Sequence, residues 1–103
     1  MSLTNLLKDR VQIQLRVATL TADGETVTWV PVESRYALVL PVSAKTAAVY
    51  QQLNSEVTHR VVMRGTVSLN LGLNRLKWGD ITLEPVEPPK QKKTAILIMT
   101  KEV

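Results

Sequence analysis

Val11-Gln12-Ile13-Gln14-Leu15-Arg16-Val17 alternates apolar and polar side chains without a fault, and this period of two decides how the rest of the chain is read. Successive side chains of a strand point to opposite faces, so Val11, Ile13, Leu15 and Val17 share one face and Gln12, Gln14 and Arg16 the other. The stretch is a half-buried strand. Downstream, Ala22-Asp23-Gly24-Glu25 supplies turn chemistry, because Asp-Gly accepts the positive φ of a tight hairpin. A second strand opens at Thr26-Val27-Thr28-Trp29. At Val30-Pro31-Val32 the apolar parity shifts, and Pro31 has no N–H to donate, which predicts an edge, a bulge or a break.

Arg35 to Val42 is a further strand, with Tyr36, Leu38 and Leu40 on one face and Ala37 and Val39 on the other, so cover is expected on both sides. Residues 43–55 form the one insertion that departs from alternation. Ser43 suits an N-cap ahead of the Ala-rich body Ala44 to Leu53, a helix of about three turns. A static version would cap one end of the barrel through Val49 and Leu53. Glu56 to Arg64 alternates again, the pattern loosens from Gly65 to Asn74, and Arg75 to Val86 reads as strand, Gly79-Asp80 turn and strand. A turn is expected at Lys90-Gln91-Lys92-Lys93 after Pro88-Pro89, and Thr94 to Thr100 is a final strand, apolar on both faces.

These short strands predict an all-β fold, a small closed or nearly closed antiparallel barrel of about six strands, with one short helix in a long connection. The 103 residues suffice for one domain, 1–103, that buries roughly 60 to 70% of its unfolded surface. Val, Leu, Ile and Ala must build the core, since there is no Phe and the aromatics are Trp29, Trp78, Tyr36 and Tyr50. A small barrel hides one side of each strand. The apolar side chains to spare on Tyr36–Leu40 and Ala95–Met99 therefore predict a neighbouring subunit, because one short helix cannot cover both strands. That expectation makes Leu38 and Leu97 interface candidates.

The sequence holds no Cys, which removes disulfides and thiolate metal ligands. No apolar run reaches the length of a membrane span, and Met1 to Lys8 lacks the layout of a signal peptide, so a soluble, non-exported protein is expected. The net charge of +4 is scattered apart from the Lys90–Lys93 cluster, expected to be a solvated tip that blunts a sheet edge. His59 stands alone in its strand without a base or acid partner, and reads as a structural residue of a rim or interface. Glu84 and Glu87 flank Pro85 and read as surface charges. The four glycines are isolated, so no phosphate loop is formed, and no metal-ligand spacing occurs. Trp78 beside Arg75 and Lys77 is the one candidate platform for a stacked base, although filling one end of the barrel explains it better. No enzymatic constellation, metal site or cofactor site is expected.

Taken in order, several stretches resemble the head-tail joining (head-closure) proteins of tailed bacteriophages. Asp23-Gly24-Glu25-Thr26-Val27-Thr28-Trp29-Val30-Pro31-Val32 is similar to that family's "DGETxTWxxV" stretch, and Arg35 to Val39 stands at its "WAxV" strand. Thr58-His59-Arg60-Val61-Val62-Met63-Arg64 resembles "THRxxxR", and Arg75 to Ile81 its "RxxxxGxxY" hairpin, with Ile81 in place of an aromatic. The resemblance implies a virion protein of the neck, made in the host cytoplasm and assembled as a homo-oligomeric ring, usually a dodecamer. A portal or adaptor protein lies above such a ring and a tail protein below, and packaged double-stranded DNA is contacted non-specifically. It also implies that the 43–55 connection takes part in closing the channel, which makes Lys45, Tyr50, Gln51, Gln52 and Asn54 candidates for lumen or inter-subunit contacts. Arg60 and Arg64 join Leu38 and Leu97 as interface candidates. The rival readings are a single-stranded nucleic-acid-binding barrel and a small accessory subunit of an enzyme.

Overall fold

Alternation in the sequence becomes antiparallel pairing throughout the computed structural model, which describes residues 7–103; the reading of Met1 to Leu6 lies outside the described residues. The elements run β1 (Asp9–Thr21), β2 (Gly24–Pro41), α1 (Ala44–Gln52), β3 (His59–Arg64), β4 (Asn74–Trp78), β5 (Ile81–Pro85), β6 (Lys90–Lys92) and β7 (Ala95–Glu102). The hydrogen-bonded order is β3-β2-β1-β4-β5-β7, and β3 returns to pair with β7. Six strands thereby close into a barrel, and the short β6 is appended outside that ring. One edge of β7 pairs with β3 along Ala95–Thr100, while its other edge is divided between β6 at Ala95–Leu97 and β5 at Thr100–Glu102.

The interior is aliphatic, as a chain without Phe requires. Val11 and Ile13, Ala37 and Val39, Val61 and Met63, Leu76, Leu83, Ile96 and Ile98 each come from one face of their strand, and Leu69 joins them from the connection before β4. Trp78 and Ile81 pack against this cluster. The buried hydroxyl of Thr100 donates to His59 O at 2.9 Å, so its burial carries no unpaired donor. Asn74, also buried, accepts from Asn70 N at 2.8 Å and donates to Gln14 O at 3.2 Å, which fixes the loose Gly65–Asn74 stretch to β1.

Pro31 marks a β-bulge. The β1–β2 register runs Ile13↔Glu33, then Gln14↔Pro31, so Val32 is the extra residue and the parity of β2 reverses there. Without that shift Leu15 and Val17 would oppose Pro31 and Trp29; with it, they oppose Val30 and Thr28. The two strands continue well past the barrel. Apart from pairing with β2, β1's described backbone contacts end with Arg16 N donating to Leu73 O at 2.8 Å, and β2 meets β3 from Ala37 onward. The 13-residue β1 and 18-residue β2 thus form a projecting arm, capped by the Ala22-Asp23 turn, which gives the molecule extents of 54 × 32 × 24 Å. Strands in globular proteins are usually about 5–6 residues long.

Of the outcomes expected at Pro31, the bulge is the one found, and pairing continues on both sides of it. Within the single chain the outer face of Arg35–Val42 is left partly open: Leu38 and Leu40 are half-buried and Tyr36 is 58% exposed. Two expectations are corrected. Lys90-Gln91-Lys92 is not a turn but a short, exposed strand, because β7 leaves an edge free for it. The turn falls after it, at Lys93-Thr94. Glu84 and Glu87 are half-buried rather than free surface charges.

Candidate assembly surface

The 43–55 insertion is a self-contained unit. Ser43 sits in extended backbone and its Oγ accepts from Thr46 N at 3.2 Å, an N-cap as expected. At the other end Asn54 adopts φ +59°, Asn54 N donates to Gln51 O at 3.0 Å and Ser55 N to Tyr50 O at 2.9 Å. This is a Schellman stop, which Asn tolerates better than most residues other than Gly. Both helix ends are therefore satisfied from within the segment.

What the helix does not do is plug the barrel. It buries no residue, and Val49 and Leu53, through which a static helix would cap the barrel, are 50% and 69% exposed. Its attachment is polar: the Tyr50 hydroxyl donates to Glu87 Oε1 at 2.8 Å, and the same oxygen lies 3.4 Å from Lys90 Nζ. Partial burial, followed by the hydrogen bond and the negative charge of Glu87, raises the Tyr50 pKa above its ordinary value of 10.0. Of the channel candidates, Tyr50 alone is tied to the barrel. Lys45, Gln51, Gln52 and Asn54 are exposed, and the part Asn54 plays in the fold is that of its backbone.

The interface candidates come together on one surface. Leu38 pairs with Val62 and Val62 with Leu97; paired residues point to the same side, opposite the buried Val39, Val61 and Ile98. All three are half-buried on the outside of the barrel. Arg60 and Arg64 share the outer parity of β3, one at each side of Val62, and both are exposed. The result is an apolar row across β2, β3 and β7 flanked by arginines. Val62 escaped the sequence reading, although its position midway between Arg60 and Arg64 was the available signal.

Other candidates are absorbed by the fold. The Nδ1 of His59 lies 2.9 Å from Thr58 Oγ1, and the ring meets Trp78 edge-on, centroids 6.1 Å apart. Among the described residues no group of acidic or imidazole side chains could hold a metal ion, and no helix is long and apolar enough to cross a membrane. Arg75 stacks over Trp29 at 4.3 Å and its Nε donates to Gln14 Oε1 at 2.6 Å, bracing the root of the arm. Sequence reasoning missed the arm itself, whose signal was alternation carried further than a small barrel can use.

Comparison with known proteins places this geometry. The family model described as phage head completion protein matches residues 3–102. Among solved structures, the solution structure of protein SF1141 from Shigella flexneri 2a is similar, with a TM-score of 0.78 at 24% identity over 98% of this chain and 96% of that one. No curated protein matches.

Proposed function

Because the chain belongs to the phage head completion protein family, a family of structural virion proteins with a role in closing the head, we propose that it is a connector subunit. In this reading copies of it form a ring between the portal or its adaptor and the tail, close the DNA-filled head and offer the docking surface for the tail. The observation that carries the reading is the outward row Leu38–Val62–Leu97 between Arg60 and Arg64. A half-exposed apolar row of this kind on a small barrel is the composition of a surface that another protein covers, and a rotationally repeated copy covers it most economically. The α1 segment, held by one polar contact, is the part that can move without disturbing the barrel. In the ring it faces the channel or a neighbouring ring, with Lys45, Tyr50, Gln51 and Gln52 reaching DNA or the next subunit.

The nucleic-acid-binding alternative is less well supported, because both tryptophans are engaged: Trp29 under Arg75 and Trp78 against the core and His59. Stacking readout needs such rings free. The connector reading is tested by replacing Thr46–Gln52 with a Gly-Ser linker. The barrel should still fold, while the particles leak DNA or fail to join tails. Normal, DNA-filled, tail-bearing particles from this variant would remove the gating role.

A further inference from the structure

The projecting arm ends in Leu20, which at 87% exposure is the barest large apolar side chain among the described residues. Asp23 and Glu25 stand beside it at the turn. Near the root of the arm is an open cleft of about 280 Å³, lined among the described residues by Leu7, Arg35, Tyr36 and Arg64. Its walls are the buried Leu7 and the ring of Tyr36, with Arg10 stacked over the same ring at 5.1 Å. The charge of the two places is opposite in sign. Charges pair within the chain in both places, Arg35 with Glu33 at 3.2 Å beside the cleft and Glu25 with Arg16 at 3.0 Å at the tip. The excess is positive at the cleft, where Arg10 stacks on Tyr36 and Arg64 lines the wall, and negative at the tip, where Asp23 stands.

A chain cannot bring its own tip to its own cleft. Glu25 and Tyr36 lie on the same strand, and at a rise of roughly 3.3 Å per residue that separation is about 30–35 Å. The arm is held extended by β1–β2 pairing from Thr21↔Gly24 to Asp9↔Ala37, interrupted by the single bulge. We propose that the tip of each arm seats Leu20 in the Leu7–Tyr36 cleft of a second copy of the chain, with Asp23 and Glu25 set against its arginines. The contact joins two different patches, so it is heterologous and propagates from copy to copy, closing into a ring when the rotation between copies allows. This proposal rests on the ring reading above and assigns one of its contacts, beside the Leu38–Val62–Leu97 row, with Arg64 bordering both.

Absence of cysteine makes the test clean. Leu20→Cys and Tyr36→Cys chains, mixed at high concentration under mild oxidation, should give a disulfide-linked mixed dimer. The double variant should give a ladder of linked copies, because a disulfide needs Cα atoms within about 7 Å and cannot form inside one chain. Leu20→Cys dimers without a mixed product would mean that tips meet tips, and no product at all would mean that the contact does not exist; either overturns the proposal. Capture of Tyr36→Cys in particles by a portal or tail protein, in place of Leu20→Cys, overturns it in favour of that partner. Leu20→Asp should keep the circular dichroism spectrum and melting midpoint and lose self-association in sedimentation. Rings that still form from Leu20→Asp would overturn this contact and leave the connector reading standing. A mixed disulfide in a chain that never enters virions would do the reverse.

Discussion

The hydroxyl of Tyr50 reaches Glu87 at 2.8 Å, 37 residues further along the chain, and is the hydrogen bond by which a side chain of α1 holds the barrel. Helices of this length are marginal alone, since isolated helices shorter than about 12–15 residues rarely persist in water. Its retention against the barrel therefore depends on that hydroxyl.

Tyr50→Phe removes the donor and keeps the ring. We expect the α1 amides to exchange faster with solvent while β3 and β7 keep their protection, at a cost of about 0.5–1.5 kcal/mol confined to the segment. Unchanged exchange in α1 would show that the contact does not hold it.

The same contact sets a dependence on pH. The folded state favours the neutral hydroxyl, since the Tyr50 pKa is raised above 10.0. The native chain thus binds the proton more tightly than the unfolded one, and its contribution is complete below the ordinary tyrosine range and lost as pH rises through the raised value. In a Tyr36→Phe background, which leaves Tyr50 as the sole tyrosine, absorbance should titrate above pH 10 and α1 should loosen in step. Titration at or below the ordinary value would contradict the assignment.

Leu38→Asp and Leu97→Asp should fold and fail to assemble, because both side chains point outward. Ile98→Ala is the contrast: its fully buried side chain leaves a cavity costing about 2–5 kcal/mol. Circular dichroism with light scattering separates the two outcomes. An Asp variant that assembles normally would remove the row from the interface.

Replacement of Lys90, Lys92 and Lys93 by Ser should change stability by less than about 1 kcal/mol, since all three lysines are exposed and the Lys90–Glu87 pair is open to solvent on its lysine side. Denaturant unfolding checks this. A larger loss would give β6 a weight in the barrel that its exposure denies.

Arg75→Ala loses the stack on Trp29 and the bond to Gln14 together. The expected cost is on the order of 1–3 kcal/mol, with exchange rising at Leu15–Thr21 more than in the core. Equal effects throughout would mean that Arg75 supports the barrel and not the arm.

Much of this architecture was legible because alternation and turn residues are local signals. Val11–Val17, the Ala22-Asp23 and Gly79-Asp80 turns, the Ser43 cap and the surplus on Leu38 and Leu97 all follow from neighbours in sequence. What escaped depends on distant pairing. Whether Pro31 breaks a strand or bulges it is decided by β1 opposite, Lys90–Lys92 becomes a strand because β7 has an unused edge, and the length of the arm depends on where β4 stops. The failure of Val49 and Leu53 to pack has the same origin, since the barrel interior is already filled by its own strands. Among the site residues, Leu38, Leu97, Arg60 and Arg64 share a face that register creates, and the Tyr50–Glu87 contact had no local signature.

The outward row has a consequence in time. Leu38, Val62 and Leu97 become neighbours only after β3 has paired with both β2 and β7, which are among the non-local steps that make β-barrels slow to fold. A nascent or half-closed chain does not possess this surface. In the connector reading proposed above, subunits that have not finished folding would lack the contact surface, so incorporation would wait on the folding of each copy and defective copies would be left out without any separate inspection.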